Sequence, residues 1–250
     1  MIDSDAVVIE PRKGSKDKPS AQLALLACTE IDRRKFCRLT APEPGSDQTI
    51  YNARLRDVIY GNRRLTLAGP ILGAPQAVLV AEKLIALGSR TIVVFGWCGS
   101  LQPDVRIGDW LLPSSAHSEE GTSWHYPLDS GEFIADGELL ARLQAHCLSD
   151  GYSVRSGPVW TTDAPLRETA NKVSTYGKEG LLAVEMEMSA LFRVAAYRQV
   201  RLVGLLVVSD ELFTLKWRPG LQSTHFKRSC SQACKTLLDF CASLPPHLLT

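Results

Sequence analysis

The stretch Gly180–Glu211 reads GLLAVEMEMSALFRVAAYRQVRLVGLLVVSDE and predicts a strand, a helix and a second strand in succession. Leu181–Val184 is a short apolar run, and Leu202–Val208 is a longer one that is typical of a buried strand. Between them, Glu187–Arg198 has helical spacing, with one apolar face formed by Met188, Leu191, Phe192 and Ala195. This succession favours an α/β fold.

Acidic residues follow both apolar runs. Glu185-Met186-Glu187 comes directly after the first run, and Ser209-Asp210-Glu211 comes after the second. Ligands of open α/β sheets bind outside the carboxyl ends of the strands, so both clusters are expected at the rim of a site. We expect Glu211 itself to be solvated. The alternative is that the first cluster only begins a helix and the second forms a solvated turn.

Length and composition indicate one domain that acts on a small molecule. The 250 residues are 45% hydrophobic, which is enough for one full core over residues 21–250, and residues 1–20 read as a mobile or loosely docked arm. A net charge of +1 gives no field that would recruit nucleic acid or an anionic membrane. Without an apolar run of about 20 residues, we expect a cytoplasmic protein.

The seven cysteines are scattered along the chain, a pattern typical of reduced, mostly buried thiols. Three of them, Cys230, Cys234 and Cys241, fall on one face of a C-terminal helix together with other apolar residues. A metal site that includes His225 is the alternative to this helix core, but no CxxC motif or second pair of ligands supports it. We expect no metal.

The segments VEMEMSAL (184–191) and VSDE (208–211) resemble the nucleoside phosphorylase family, which includes purine nucleoside phosphorylases, uridine phosphorylases and related nucleosidases. The likeness extends more weakly from about Gln22 to Phe240. It implies a single domain with a mixed, twisted central sheet flanked by helices. It also implies no cofactor apart from phosphate as a possible co-substrate, and a homo-oligomer that is a dimer or an assembly of dimers.

Cleavage of a C–N glycosidic bond passes through a sugar with oxocarbenium character, so a site must hold the sugar and protonate the departing base. Glu187 is the candidate that accepts hydrogen bonds from the ribose hydroxyls, and Met186 offers an apolar surface beneath the ribose. Asp210 is the candidate general acid, because a carboxyl group after an apolar strand is partly desolvated.

The acceptor pocket is less clearly marked. Gly96-Trp97-Cys98-Gly99 is expected to be a tight turn whose N–H groups approach an anion, and Arg33 is the candidate arginine for phosphate. Relatives usually carry an arginine and a serine or threonine at the positions of Val94 and Trp97, so two anion contacts are missing. Glu30 loosely resembles the glutamate with which the related nucleosidases activate water.

The loop that contains Asp163 and Arg167 is expected beside the base. Ser209, which follows the apolar run Leu202–Val208, is expected on the same side. Uridine phosphorylases carry a Gln-x-Arg pair in the equivalent loop, and that pair is not found here. A purine presents N7 to a proton donor such as Asp210, so a purine-like base is favoured.

The sequence therefore predicts an enzyme of purine salvage that cleaves the glycosidic bond of a nucleoside, with phosphate slightly preferred as the acceptor. The first alternative is a nucleosidase that uses water activated by Glu30. The second is a nucleoside-binding protein without catalytic activity.

Overall fold

In a computed structural model of the protein, a twisted mixed sheet runs through residues 7–128 and 133–250, which are the residues that the structure describes. Within these ranges the sheet has eleven strands: β1 (Leu23–Ala27), β2 (Ala41–Pro42), β3 (Gln48–Ile50), β4 (Ala53–Tyr60), β5 (Arg63–Gly69), β6 (Thr91–Ser100), β7 (Trp110–Glu119), β8 (Val154–Thr162), β9 (Ala183–Glu185), β10 (Arg201–Glu211) and β11 (Arg218–Pro219). The helices that flank it are α1 (Glu30–Leu39), α2 (Gly73–Leu87), α3 (Gly137–Ser149), α4 (Ala170–Lys178), α5 (Met188–Tyr197) and α6 (Thr224–Ser243).

Half of the sheet closes on itself. The strand order is β11-β10-β7-β8-β9-β6-β1-β5-β4-β2, and β10 also pairs with β6 in parallel. Strands β10, β7, β8, β9 and β6 thus form a closed ring, from which β1, β5 and β4 extend as an open sheet. The closed ring brings the carboxyl ends of β6 and β10 beside the short strand β9.

Both faces of the central strands are buried, which explains their continuous apolar sequences. In β6, Val93 and Phe95 face a core that includes side chains of α1, α3 and α6. Ile92 and Val94 face the opposite core, formed with α2 and α5. Val94, one of the two positions at which the sequence predicts a missing anion contact, is therefore part of the core.

The predicted strand, helix and strand of residues 180–211 are present, with one difference in length. Strand β10 does not end at Val208 but continues through Glu211, and its register against β6 shifts between Val208 and Asp210. An irregularity of this kind re-aims side chains next to a site. Glu211 is not solvated as expected: it is 3% exposed and accepts a hydrogen bond from Arg106 at 2.9 Å.

The N-terminal segment is in contact with the domain where the structure describes it. Lys83 of α2 donates to the carbonyl of Arg12 at 2.8 Å and forms an ion pair with Asp17. The prediction of a mobile arm also covers residues 1–6, which lie outside the described residues, and it stays a prediction. Among the described helices, none is both long and apolar enough to cross a bilayer.

Leu205 of β10 is fully buried between the sheet and its helices, and a substitution there tests the assignment of the hydrophobic core. Leu205→Ala should lower the free energy of unfolding by about 2–5 kcal/mol, because it removes buried methyl groups and leaves a cavity. Urea unfolding measures this change. The matched control is Leu148→Ala, at a side chain that is 56% exposed, and it should change the free energy by less than about 0.5 kcal/mol. Equal effects of the two substitutions would contradict the assignment of Leu205 to the core.

Candidate active site

A cavity of about 560 Å³ lies at the carboxyl ends of β1, β6, β9 and β10. Its lining comes from six parts of the chain: Cys28 and Thr29, Ile71 and Leu72, Trp97–Gly99, Pro165–Glu168 without Arg167, Val184–Glu187, and Ser209, Asp210, Leu212 and Trp217. The structure thus brings the two acidic clusters of the sequence to one cavity, except for Glu211, which pairs with Arg106. Among the described residues, this lining includes four carboxyl groups and no arginine, lysine or histidine.

Glu187 is held at the junction of β9 and α5. Its side chain lies in the cavity wall and is 7% exposed, and one carboxylate oxygen accepts the Gly73 N–H at 2.7 Å. Gly73 needs to be glycine, because its φ of +75° is unfavourable for other residues. Burial raises the pKa of the Glu187 carboxyl above its usual range. A carboxyl group fixed in this way is well placed to accept hydrogen bonds from hydroxyl groups of a ligand.

Glu185 has a structural task. One of its oxygens accepts the N–H groups of Glu187 at 2.6 Å and Met188 at 2.8 Å, and the other accepts the hydroxyl of Thr161. Because these N–H groups begin α5, Glu185 satisfies donors that the helix itself leaves unpaired. Burial, and then the charge of Glu187, raise the pKa of Glu185.

Met186 lies between the two glutamates and lines the cavity. Its methyl group is near Gly73, where a β-carbon would be 3.9 Å from it. The thioether therefore gives the cavity an apolar wall next to Glu187, at the position expected for the surface beneath a ribose.

Asp210 is directed by the irregularity in β10. The hydroxyl of Ser209 donates to one of its oxygens, and the indole N–H of Trp217 donates to the other at 3.0 Å. Both Asp210 and Ser209 line the cavity. These two donors fix the orientation of the Asp210 carboxyl at the cavity wall.

Glu168 is a second carboxyl group on the Asp210 side, and the sequence analysis did not single it out. It lines the cavity after the short 3-10 turn Pro165–Arg167. Burial, and then the charge of Asp210, raise the pKa of Glu168 to about 7. The expected members of this loop lie elsewhere: Asp163 accepts the Gly121 N–H at 3.1 Å, and neither Asp163 nor Arg167 lines the cavity. In the sequence, the one feature that could have indicated Glu168 as a cavity residue is its position in the loop after β8.

Residues Gly96–Gly99 do not form the expected turn. They continue β6, with Gly96 paired to Leu206 and Gly99 to Asp210 of β10. Their glycines serve close packing: a β-carbon at Gly96 would lie 3.0 Å from the Cys28 sulfur, and one at Gly99 would lie 2.6 Å from Leu212. An extended, paired strand does not offer the converging N–H groups of an anion-binding turn.

Trp97 and Cys98 line the cavity from β6, but their surroundings are apolar. The Trp97 ring packs edge-on against Phe226 of α6, with ring centroids 5.1 Å apart. Burial raises the pKa of the Cys98 thiol well above its ordinary value, so it is a neutral wall residue. Trp97, at one of the two positions where an anion contact was expected to be missing, is therefore part of the cavity wall beside α6.

Glu30 and Arg33 pair with each other instead of entering the cavity. Arg33 donates to Glu30 through Nε at 2.6 Å and through a terminal nitrogen at 3.0 Å. These bonds, with those from Arg34, lower the pKa of Glu30 to about 2, which makes it a weak general base. Neither Glu30 nor Arg33 is among the residues that line the cavity. The two expected acceptor residues thus neutralise one another.

The fold of the chain is that of solved nucleoside phosphorylases. A uridine phosphorylase from Vibrio fischeri superposes with a TM-score of 0.80 at 18% identity, over 92% of this chain and 99% of that one. A purine nucleoside phosphorylase from Toxoplasma gondii, solved with immucillin-H, gives a TM-score of 0.82 at 19% identity, over 92% and 97%. The predicted α/β fold with a mixed sheet is confirmed.

The chain belongs to the phosphorylase superfamily, whose family model matches residues 29–243. A guanosine phosphorylase from Halorubrum lacusprofundi is 29% identical over 153 residues, which are 61% of this chain and 64% of that protein. A DeoD-type purine nucleoside phosphorylase from Bacillus thuringiensis is 31% identical over 175 residues, 67% of this chain and 74% of the relative. The resemblance carried by VEMEMSAL and VSDE is confirmed.

The buried carboxyl groups predict how stability depends on pH. Glu168, Glu185 and Glu187 have pKa values raised in the folded state, so the native protein holds their protons more tightly than the unfolded chain does. Their contribution to stability is therefore complete at low pH and is lost as the pH rises from about 5 to 8. Glu168→Gln should reduce the fall in melting temperature between about pH 5 and pH 7.

The control for this measurement is Glu179→Gln, at an exposed glutamate after α4, which should leave the pH dependence unchanged. Differential scanning calorimetry across the pH series gives both slopes. If the Glu168 variant follows the same curve as the unaltered protein, the raised pKa of Glu168 is refuted.

Proposed function

We propose that the protein is an enzyme that cleaves the N-glycosidic bond of a purine nucleoside and transfers the ribosyl group to phosphate. The observation that carries this proposal is the convergence of Glu187, Met186 and Asp210 on one cavity of about 560 Å³. A purine base and phosphate are further supported by the activities that the names of the relatives state, guanosine phosphorylase and purine nucleoside phosphorylase.

Glu187 binds the sugar in this proposal. As a carboxylate it accepts hydrogen bonds from the 2′- and 3′-hydroxyls, and these bonds strengthen as positive charge develops on the ribose. The Gly73 N–H holds the carboxylate in place, so little reorganisation is needed when the substrate enters. Met186 supports the apolar face of the ribose.

Asp210 donates a proton to N7 of the departing purine. The bonds from Ser209 and Trp217 orient its carboxyl group, and Glu168 is near enough for the charge of Asp210 to help raise the pKa of Glu168. Below about pH 7 Glu168 is neutral, and it is then a second group that can donate a hydrogen bond to the base.

The acceptor is phosphate, which enters beside Thr29. Thr29 is the N-cap of α1 and lines the cavity, so the positive end of that helix's dipole lies at the cavity wall. Water is the second candidate acceptor. One observation favours it: within the described part of the chain, no cationic side chain lines the cavity. If water is the acceptor, Glu30 is a poor general base for activating it, because the pKa of its carboxyl group is lowered to about 2.

The sugar product decides between these acceptors. Guanosine and inosine are incubated with the protein in buffers with and without phosphate, and the products are identified by chromatography. Ribose 1-phosphate that forms only with phosphate supports the proposal. Free ribose in both buffers identifies a nucleosidase. Absence of any base release across a panel of nucleosides rejects enzymatic activity and favours a binding protein.

For Asp210, the substitution Asp210→Asn keeps the shape and the hydrogen bond from Trp217 but removes the transferable proton. Steady-state kinetics with a purine nucleoside should show kcat reduced by roughly 10²-fold or more, with KM little changed. Asp104→Asn is the control, since that side chain is 62% exposed and pairs with Arg155 at the surface. An Asp210 variant with native kcat excludes this residue from proton transfer.

For Glu187, the native protein should turn over a 2′-deoxynucleoside more slowly than the ribonucleoside. Glu187→Ala should narrow that difference, because the variant no longer binds the 2′-hydroxyl. The ratio of kcat/KM for the two substrates is the measurement. A ratio that stays the same in the variant means that another residue recognises the sugar.

We also propose that the protein is a homo-oligomer, a dimer or an assembly of dimers, located in the cytoplasm. Large apolar side chains are exposed at the rim of the cavity, with Leu72 at 73%, Leu166 at 96% and Trp217 at 65%. Such a rim is suited to contact with a second copy of the chain. All seven cysteines are free thiols, which fits a reducing compartment.

A further inference from the structure

A second concave site lies on the other side of α1. This arginine groove has a volume of about 670 Å³ and runs between α1 and the hairpin of β3 and β4. It is lined by Arg33, Arg34 and Arg38 of the helix, by Arg54 and Arg56 of β4, and by Asp47. Arg54 and Arg56 are two residues apart, so they stand on the same face of their strand.

The positive charge in the groove is only partly compensated. Glu30 is shared by Arg33 at 2.6 Å, Arg34 at 2.8 Å and, more distantly, Arg54 at 3.7 Å. Among the residues that the structure describes, the other carboxylate in contact with this set is Asp47, which pairs with Arg56. Five arginines thus share two carboxylates of the described ranges, which leaves an excess of three positive charges there, in a chain whose net charge is +1.

Two of the groove arginines have no close ion pair within the described part of the chain. Arg38 donates to the backbone carbonyl of Arg34 at 3.2 Å, a contact that does not neutralise its charge, and Arg54 approaches Glu30 only to 3.7 Å. By comparison, Arg142 and Arg155 each pair closely with a carboxylate of their own, Glu138 and Asp104. The groove thus contains guanidinium groups that are available to an anionic ligand.

We propose that the arginine groove binds a linear oligophosphate, either as the phosphate chain of a nucleotide or as free polyphosphate. Guanidinium groups match phosphate oxygens in pairs, and several forks on two facing elements suit an extended chain better than a single ion. The groove is far larger than one phosphate ion needs. The small net charge of the whole chain argues against a nucleic acid, which would need a longer basic surface.

This site is separate from the nucleoside cavity, although α1 connects the two. Thr29, at the start of the helix, lines the cavity, and the following turns carry Arg33, Arg34 and Arg38 into the groove. An oligophosphate in the groove takes over contacts that Arg34 and Arg54 now make with Glu30. The inference does not depend on the proposed enzymatic function.

Isothermal titration calorimetry with tripolyphosphate, in phosphate-free buffer at low and raised salt, tests the proposal. The test variant is Arg38→Gln combined with Arg54→Gln, and the control is Arg142→Gln combined with Arg155→Gln, which removes the same charge elsewhere. We expect binding that weakens with salt, falls at least about tenfold in the test variant and is unchanged in the control. If the double variant does not fold, Arg54→Gln alone makes the same comparison, because that side chain is 62% exposed.

Two further arms identify the ligand and the site. A nucleoside triphosphate that binds more tightly than tripolyphosphate points to a nucleotide, whereas equal or weaker binding points to polyphosphate. Glu187→Ala, in the nucleoside cavity, should leave tripolyphosphate binding intact. The proposal is overturned by no binding to the unaltered protein, by equal loss in test and control variants, or by loss in Glu187→Ala alone. It is also overturned if the test variant changes the mass of the assembly without any oligophosphate binding, since the groove is then a contact between copies.

Discussion

The candidate site depends on the capping of α5 by a buried carboxylate. Glu185 accepts the first N–H groups of this helix and thereby fixes the turn between β9 and α5. Because Glu187 and Met186 stand in that turn, their direction follows from the cap. The cost is a second acid in a dry environment: burial raises the pKa of both groups, and the charge of Glu187 raises that of Glu185 further. Sugar hydroxyls that donate to Glu187 would offset part of this cost.

The closed ring of strands supplies the other half of the site. Strand β10 pairs with β6 along its length, and the register shift before Asp210 directs this residue and Ser209 to the cavity. The same pairing makes Gly96 and Gly99 part of strand β6. The anion-binding turn that the sequence predicts at these residues is therefore not formed.

Local sequence patterns predicted the fold well. The apolar runs of residues 180–211 correspond to β9, α5 and β10, and Glu185, Glu187 and Asp210, which follow them, line one cavity. That Glu187 binds a sugar stays a prediction. The surroundings of Glu168 could not be predicted from the sequence, because its raised pKa depends on burial and on the charge of Asp210, which lies far away along the chain. The pair of Glu30 and Arg33 is different, since residues one helical turn apart are neighbours on a helix. Spacing along the chain does not specify that this pair lies outside the cavity lining.

The central claim is that one cavity holds the ribose at Glu187 and the purine at Asp210. A crystal structure with a purine nucleoside analogue whose glycosidic bond cannot be cleaved, grown in the presence of phosphate, tests it most directly. The account predicts ribose hydroxyls within hydrogen-bond distance of Glu187 and the purine N7 edge facing Asp210. An analogue bound elsewhere, or one bound in this cavity with its base at Glu187 and its ribose at Asp210, would contradict the account.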